Sequence, residues 1–569
     1  MNAAATLRSV SWRWVSALAL AAAALLAVAL AQPPSTGSTA TAPATSVPSP
    51  AVAPDPLTPA VAEIAWRDPR ERIEVIAQFQ PGVGKAAASQ LVRENGGRIT
   101  AEIGLINGLA AKIRAGDAAR LARNPGLHAV SLNARVAGSG ITPNGSELEV
   151  APKELATSFN QAVRSPNVWY GGSNQATGKG VGVAVVDTGI QGDLPDFQGP
   201  DGASRVVAAV NTNPDVTNYG DGFGHGTHVA GLIAGNGEHR EGELQGNYLG
   251  VAPDANLISV KISDDAGEST VLDAIIGLQF VVDHKDQFNI RVANLSLNST
   301  LPESYRTDPL AAAAEQAWFN GIVVVAAAGN RGADADAVHY APGNDPYVIT
   351  VGASDDNGTK GIEDDALASW SSRGETQDGY SKPDLLAPGA HIVSTVPEGS
   401  AIAAECAECL RAGHYFQMGG TSMASAVASG IAALILEENP SWTPNEVKGA
   451  MENRLRNVPG VGGQALADKA VEAPSRALSS NASLTPSDLI DASTGNLAFD
   501  RLRWSRLRWS QVDSADRAAW SGDATFTRLR WSGELEEQLT EGEAAVETDR
   551  LRWSRLRWSR LRWSMSFSK

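Results

Sequence analysis

Three side chains in this sequence could together cleave an acyl bond. Asp187 closes the apolar, β-branched run VGVAVVDTGI at 181–190. That pattern predicts a buried parallel strand with a carboxylate at its carboxyl end. His225 opens HGTHVAG at 225–231, after Asp221-Gly222-Phe223-Gly224, so glycines lead into a helix whose first turn carries the imidazole. Ser422 lies in GGTSMASAVASGIAALIL at 419–436, an uncharged run of small and aliphatic residues that favours a helix buried on nearly all sides. An isolated Gly-Thr-Ser ordinarily reads as a helix N-cap. Beside the other two stretches it reads differently. A hydroxyl is a weak nucleophile and needs an adjacent base, and the base needs a carboxylate to hold its tautomer. The first turn of a helix supplies free N–H groups and a positive dipole end, which stabilise charge developing on a neighbouring carbonyl oxygen.

The elements that must position these groups are legible around them. Strand-like runs at 206–210, 257–261, 292–295, 322–325 and 348–351 alternate with helical stretches, predicting an α/β fold with a doubly wound, mainly parallel sheet. Such sheets carry their sites at the carboxyl edge. A helix over 444–455, capped by Thr443, and a segment to about residue 475 close this body. Asp-Thr-Gly is also an aspartic-protease signature, but that reading needs a second copy and leaves the His and Ser stretches unexplained. Gly178-Lys179-Gly180 does not complete a phosphate-binding loop.

Four motifs in order, VVDTGI, HGTHVAG, VVVAAAGN (323–330) and GTSMAS (420–425), resemble those of the subtilisin-like serine proteases over about residues 179–475. The resemblance implies a secreted serine endopeptidase made as a proenzyme. In it Asp187 orients, His225 is the base, Ser422 is the nucleophile, and Asn330 donates to the oxyanion beside the Ser422 N–H. His228 is read as a packed helix residue. The resemblance also implies substrate gripped as an extra strand between the loop at Gly267 and the loop Ser296-Leu297-Asn298, with Gly329 and Arg331 at the pocket for the side chain before the cut. Asn298 stands where the family usually has Gly, and Ala426-Val427-Ala428 replace its usual Pro-containing sequence. Asp196 stands at the position of a family calcium ligand, with the loop 236–248 as its candidate partner. No cofactor is implied for the chemistry itself. The rival class is a surface or adhesion protein using the fold as a scaffold, which would need none of Asp187, His225, Ser422 and Asn330.

The remaining sequence frames this body. The formal charge of −17 argues against general nucleic-acid binding. Residues 1–31 read as a secretory signal: Arg8 and Arg13, an Ala/Leu run over 17–30, and Ala29-Leu30-Ala31 before Gln32. That places the protein outside the cell or at its surface. A Pro/Ser/Thr/Ala-rich linker occupies 32–70. Residues 71–137 show a β-α-β-β-α-β order, a ferredoxin-like sandwich that resembles the inhibitory propeptide of the family; a Gly/Ser-containing junction at 137–147 is the expected cut region. The peptidase domain is assigned to 138–475. Cys406 and Cys409, the only two cysteines, suit a local disulfide better than zinc or redox chemistry. The extension 476–569 repeats R-L-R-W-S from Arg501, Arg506, Arg528, Arg550, Arg555 and Arg560. In an extended chain each repeat turns both Arg one way and Leu and Trp the other. That suits strands stacked on the protein, contact with an anionic cell surface, or a sorting segment.

Overall fold

The computed structural model describes residues 56–138, 157–170, 175–359, 364–452, 455–458, 462–473, 480–488, 490 and 508–511. The predicted signal, the linker up to residue 55, the junction beyond Gly138 and most of the repeats lie outside the described residues. The end of the predicted linker is a helix, Pro59–Arg67. Proline is tolerated at its first positions because those N–H groups have no helical partner. Val61 is fully buried, and the helix packs on the helix Ala115–Leu121 and on the last strand of the N-terminal domain.

That domain runs β1 (Arg72–Phe79), helix Lys85–Glu94, β2 (Arg98–Ile103), β3 (Gly108–Arg114), helix Ala115–Leu121 and β4 (Leu127–Leu132). Its sheet has the order β2-β3-β1-β4 with antiparallel neighbours, the ferredoxin-like arrangement. Val75, Val92, Ile113, Leu121 and Val130 are fully buried between sheet and helices. One expectation is corrected. The stretch 127–136, whose sequence predicts a single strand, forms two, because the chain breaks at Asn133-Ala134. Its second part, β5 (Arg135–Gly138), leaves the domain and joins another sheet.

The main body is a largely parallel sheet. Its strands are β6 (Gly182–Asp187), β7 (Val206–Asn211), β8 (Asn256–Lys261), β10 (Ile290–Leu295), β12 (Val323–Ala327), β13 (Ile349–Asp355) and a further strand, Leu385–Pro388; two short strands, β9 (Ser269–Thr270) and β11 (Leu297–Ser299), lie outside it. From one edge the parallel strands run Leu385–Pro388, β13, β12, β10, β6, β8, β7. From β6 the chain goes first to β7, returns to β8 between them, and then builds outward on the other side through β10, β12 and β13. The order therefore reverses between β6 and β10, which is where an open α/β sheet leaves a crevice at its carboxyl edge. Every residue of β6 is buried, as its apolar run requires of a strand covered on both faces.

Through this body runs the helix Thr421–Glu438, buried from Thr421 to Leu436. It packs on β10, β12, β13 and the strand Leu385–Pro388, and on the helix His225–Ala234. Ala426, Val427 and Ala428 continue it without a break. Burying its Ile431, Leu434, Ile435 and Leu436 contributes about 1.5–3 kcal/mol each. The helix over 444–455 is Pro444–Glu452, with the Thr443 side chain accepting from Glu446 N–H and Glu446 accepting from Thr443 N–H, at 3.4 and 2.7 Å. Beyond residue 475 the chain still packs on the body. Ser487 N–H donates to both Glu315 carboxylate oxygens (3.0 and 2.8 Å), and Asp488 pairs with Arg306. Of the repeats, the strand Arg508–Gln511 is described; it pairs antiparallel with β7 and covers that edge of the sheet.

Candidate active site

Asp187 ends β6, and His225 is the first residue of the helix His225–Ala234. Asp187 Oδ1 lies 2.7 Å from His225 Nδ1 and also accepts the Thr188 N–H at 2.8 Å. A carboxylate can only accept, so Nδ1 carries the proton and Nε2 is left as the basic nitrogen. Two glycines allow this approach. Gly224, with φ +103°, turns the chain into the helix. Gly226 crosses so close to Gly189 that a Cβ would lie 2.2 Å from its carbonyl oxygen.

Beneath this pair lies Asp221, fully buried and accepting four donors: Thr188 Oγ1 (2.8 Å), Gly224 N–H, Thr227 N–H and Thr227 Oγ1 (each 2.7 Å). It caps the first turn of the His225 helix. Burial pushes the Asp221 pKa up against these hydrogen bonds. Burial also pushes His225 down, but the charge of Asp187, its hydrogen bond and the charge of Asp221 outweigh it, and the His225 pKa is raised. His228 behaves as the packed residue expected. It is buried, donates from Nε2 to the Phe416 carbonyl at 2.9 Å, and burial lowers its pKa to about 3.

Ser422 is the second residue of its helix and is fully buried. Its helix packs on the helix His225–Ala234. The Ser422 hydroxyl donates to the Ser296 carbonyl at 3.1 Å; in return Ser296 Oγ and Ser425 Oγ donate to the Ser422 carbonyl at 3.0 and 2.9 Å. Ser429 Oγ donates to Asn294 Oδ1 at 2.9 Å. Serines 422, 425 and 429 share one helix face at spacings of three and four, and that face fastens the Ser422 turn to the end of β10. Asn330 Oδ1 accepts the Thr421 N–H and Thr421 Oγ1 at 3.0 and 2.9 Å. Both partners are donors, which fixes the oxygen end of the amide and turns Nδ2 the other way.

These residues place a hydroxyl, an imidazole, a carboxylate and an amide donor at one sheet edge, a set suited to acyl transfer. Residues 178–476 match the family model for Peptidase_S8, the Subtilase family. The chain belongs to this family. It is 36% identical over 394 residues to serine protease AprX of Bacillus subtilis (strain 168), covering 68% of this chain and 83% of that one. It is 30% identical over 396 residues to subtilisin E of the same strain, covering 69% and 87%. Among solved structures, fervidolysin from Fervidobacterium pennivorans, a keratinolytic enzyme related to subtilisin, aligns with a TM-score of 0.54 at 25% identity, over 72% of this chain and 62% of that one. This subtilase is a serine endopeptidase, and the scaffold alternative finds no support in these relatives.

The other predicted residues fall into two groups. Leu297 and Asn298 lie in β11 and pair with Gly138 and Ala137 of β5, and Ser296 immediately precedes them. Gly267, with φ +80°, makes the turn before β9, the strand on the other side of β5. The Asn298 side chain donates to the Ala327 carbonyl at 3.1 Å, and its Oδ1 would lie 3.3 Å from a Cβ at Gly329. It therefore fills space that glycine would leave open between those two walls. Arg331 does not present a bare charge at the rim. Its guanidinium lies 3.7 Å over the Tyr340 ring and donates to the Tyr340 hydroxyl at 3.1 Å, and that hydroxyl donates to Asp336.

The expectation for Asp196 is corrected by its partners. Asp196 Oδ2 accepts Arg240 Nε and Nη2 at 2.9 and 2.5 Å and Thr395 Oγ1 at 3.0 Å; Oδ1 accepts Tyr415 OH at 2.7 Å. The loop 236–248 thus delivers a guanidinium, and Tyr248 stacks on Tyr415 at 3.8 Å. Calcium takes six to eight oxygen ligands. Here the carboxylate is saturated by a cation and two hydroxyls, so these residues do not fit the metal. Among the described residues, no group of three or more His, Cys, Asp or Glu is placed to hold one. Cys406 and Cys409 form the local disulfide, in an insertion that packs on the approach to His225 through Ala401 N–H to Gly222 (2.9 Å) and Ile402 N–H to Phe223 (3.1 Å).

Sequence reasoning missed Thr188, Asp221, Thr421 and Ser425. Each lies within or beside a quoted motif, so the signal was their position next to a catalytic candidate on an element's end.

Proposed function

We propose that this subtilase is a secreted, self-processing proenzyme whose chemistry is carried by Asp187, His225, Ser422 and Asn330. The observation that supports this reading is the course of β5. It runs antiparallel between β11 and β9, pairing Leu297 with Gly138, Asn298 with Ala137, Ser299 with Val136 and Arg135 with Thr270. Added strands of this kind bind through main-chain hydrogen bonds and tolerate many side chains. Ser296, which accepts from the Ser422 hydroxyl, immediately precedes Leu297. Gly138, the last described residue of β5, therefore lies opposite the residue next to the one that holds the Ser422 hydroxyl. In this reading residues 71–138 are the inhibitory propeptide, and the bond cut lies in the predicted junction just beyond Gly138.

In the reaction, the Ser422 hydroxyl leaves the Ser296 carbonyl and turns to His225 Nε2. As Oγ attacks the peptide carbonyl carbon, its proton passes to Nε2 and the carbonyl oxygen takes up negative charge. Asn330 Nδ2 and the Ser422 N–H donate to that oxygen. The C–N bond then breaks, His225 protonates the leaving amine, and water hydrolyses the acyl-enzyme with His225 again as base. Asp187 stabilises the imidazolium in both steps. No cofactor takes part.

The test is covalent. Purified protein treated with a fluorophosphonate should be labelled at Ser422, only in the form lacking residues 71–138, and that form should begin within the junction 139–147. Label elsewhere, or label in an intact chain that hydrolyses peptides, would overturn the reading.

The tail stands outside this machinery. Truncation before Arg501 should leave small-peptide hydrolysis within about twofold, since no described tail residue touches the crevice. It should lower stability by about 1–3 kcal/mol, a few net main-chain hydrogen bonds, because β7 becomes an open edge. Thermal inactivation and light scattering of the truncated protein measure this. Loss of hydrolysis in a folded truncation would make the tail part of the site. Contact of the remaining repeats with an anionic surface is the companion proposal, read by partition between cells and medium.

A further inference from the structure

Arg135 is the first residue of β5, and its guanidinium lies 2.5 Å from the Glu268 carboxylate. Pairing of Arg135 with Thr270 and Val136 with Ser269 makes Glu268 the diagonal neighbour of Arg135, on the same face of the small sheet. The two faces of β5 differ. Val136 is buried against the body, whereas Arg135 and Glu268 are each partly open to solvent, at 35% and 44%.

Glu268 is held in place by its own backbone. Its N–H donates to Asp264 Oδ1 at 2.8 Å, its carbonyl accepts the Asp264 N–H at 3.0 Å, and Asn213 Nδ2 reaches the same carbonyl at 3.1 Å. The neighbouring Asp265 is already matched by the buried Lys261 at 2.9 Å. Arg135 is fixed as well, since its carbonyl accepts from Thr300 N–H and Thr300 Oγ1 at 3.0 and 3.1 Å. The carboxylate therefore sits on a braced turn, poised over one position of whatever strand fills the gap between β9 and β11.

We propose that Glu268 is a specificity-determining residue, forming a subsite for a basic side chain at the substrate position that Arg135 occupies. The proposal rests on reading the gap between β9 and β11 as the substrate cleft. The chain's own β5 is then the first occupant of that subsite, and polypeptides with Arg or Lys at this position are the favoured class. The position lies on the outer face of the substrate strand, three residues before Gly138. It is separate from the pocket that takes the side chain next to the cut.

The experiment uses processed enzyme and synthetic peptides copying residues 133–142, with Arg, Lys, Gln or Glu at the position of Arg135. At low salt, kcat/KM should favour Arg over Gln by about two- to fivefold, the range of a solvent-exposed ion pair, and over Glu by more. The preference should collapse in 1 M salt, where screening acts over about 3 Å. Glu268→Gln should erase the Arg/Gln ratio, and Glu268→Lys should invert the Arg/Glu ratio. An Arg preference that survives in Glu268→Gln, or one unmoved by salt, overturns the proposal. If none of the peptides is cut by unlabelled enzyme, while a parallel sample takes the fluorophosphonate at Ser422, the cleft reading itself fails. Cutting of all four at equal rates defeats only the subsite.

Discussion

Ser422→Ala will accumulate as an uncut chain that retains residues 71–138, with peptide hydrolysis lowered about 10⁶-fold, the loss measured for the nucleophile of subtilisin. Both effects come from one atom. Ser422 Oγ is the only part of the side chain that reaches the Ser296 carbonyl, and alanine keeps the helix propensity of that turn. The helix Thr421–Glu438 is buried along nearly its whole length, so the fold should survive the loss of one hydroxyl. Thr421, Ser425 and Ser429 keep their bonds to Asn330, the Ser422 carbonyl and Asn294. The variant should therefore unfold within a few degrees of the wild-type proenzyme while remaining inert. Mass spectrometry of the expressed chain, a casein assay and a melting curve together make the test. A variant that removes its own N-terminal domain would take the nucleophile's role from Ser422.

How much of this could be read in the sequence depended on range. Asp187, His225 and Ser422 stand at the ends of apolar runs, and an apolar run reports its own burial; β1, β2 and the helix Lys85–Glu94 likewise begin and end where their periodicity does. What escaped were pairings set by residues far apart in the chain. The stretch 127–136 alternates apolar and polar residues, as one strand would, yet Leu127–Leu132 belongs to one sheet and Arg135–Gly138 to another. Only Asn133-Ala134, two residues poor in strands, marks the point where the chain changes partners, and one such pair does not by itself end a strand. Asp196 looked like a metal ligand because its position alone was visible. Arg240, Thr395 and Tyr415, which saturate it, come from three separate segments. The pairing of Arg331 was hidden for the same reason, since Tyr340 lies nine residues on in an irregular stretch. The segment 480–488 showed no apolar periodicity at all. Its attachment rests on Glu315 and Arg306, more than 170 residues earlier.

Asp187→Asn should lower kcat about 10⁴-fold near neutral pH, the size of the effect when the orienting carboxylate of a serine protease triad becomes an amide, and it should also move the acid limb of the pH profile. The wild-type sign follows from the groups around His225. The base must be neutral to accept a proton, so activity falls as pH drops through the His225 pKa. Burial lowers that pKa, but the Asp187 charge and hydrogen bond, with Asp221 behind them, leave it above the ordinary 6.5. The wild-type acid limb of kcat/KM should therefore lie above pH 6.5. Removing the Asp187 charge leaves burial opposed only by Asp221, so the residual activity of Asp187→Asn should persist to lower pH than the wild type's. Stability should move with it. A folded-state pKa above the unfolded value favours folding below about pH 6.5, and the gain is lost as pH rises through the folded value. In the variant the sign reverses, because burial makes the folded chain resist protonation at His225. Its melting temperature should drop against wild type most strongly below pH 6, and the gap should narrow toward pH 8. Profiles of kcat/KM and melting temperature from pH 5 to pH 9 decide the matter. An acid limb that stays in place when Asp187 is neutralised would mean that another group sets the protonation of His225.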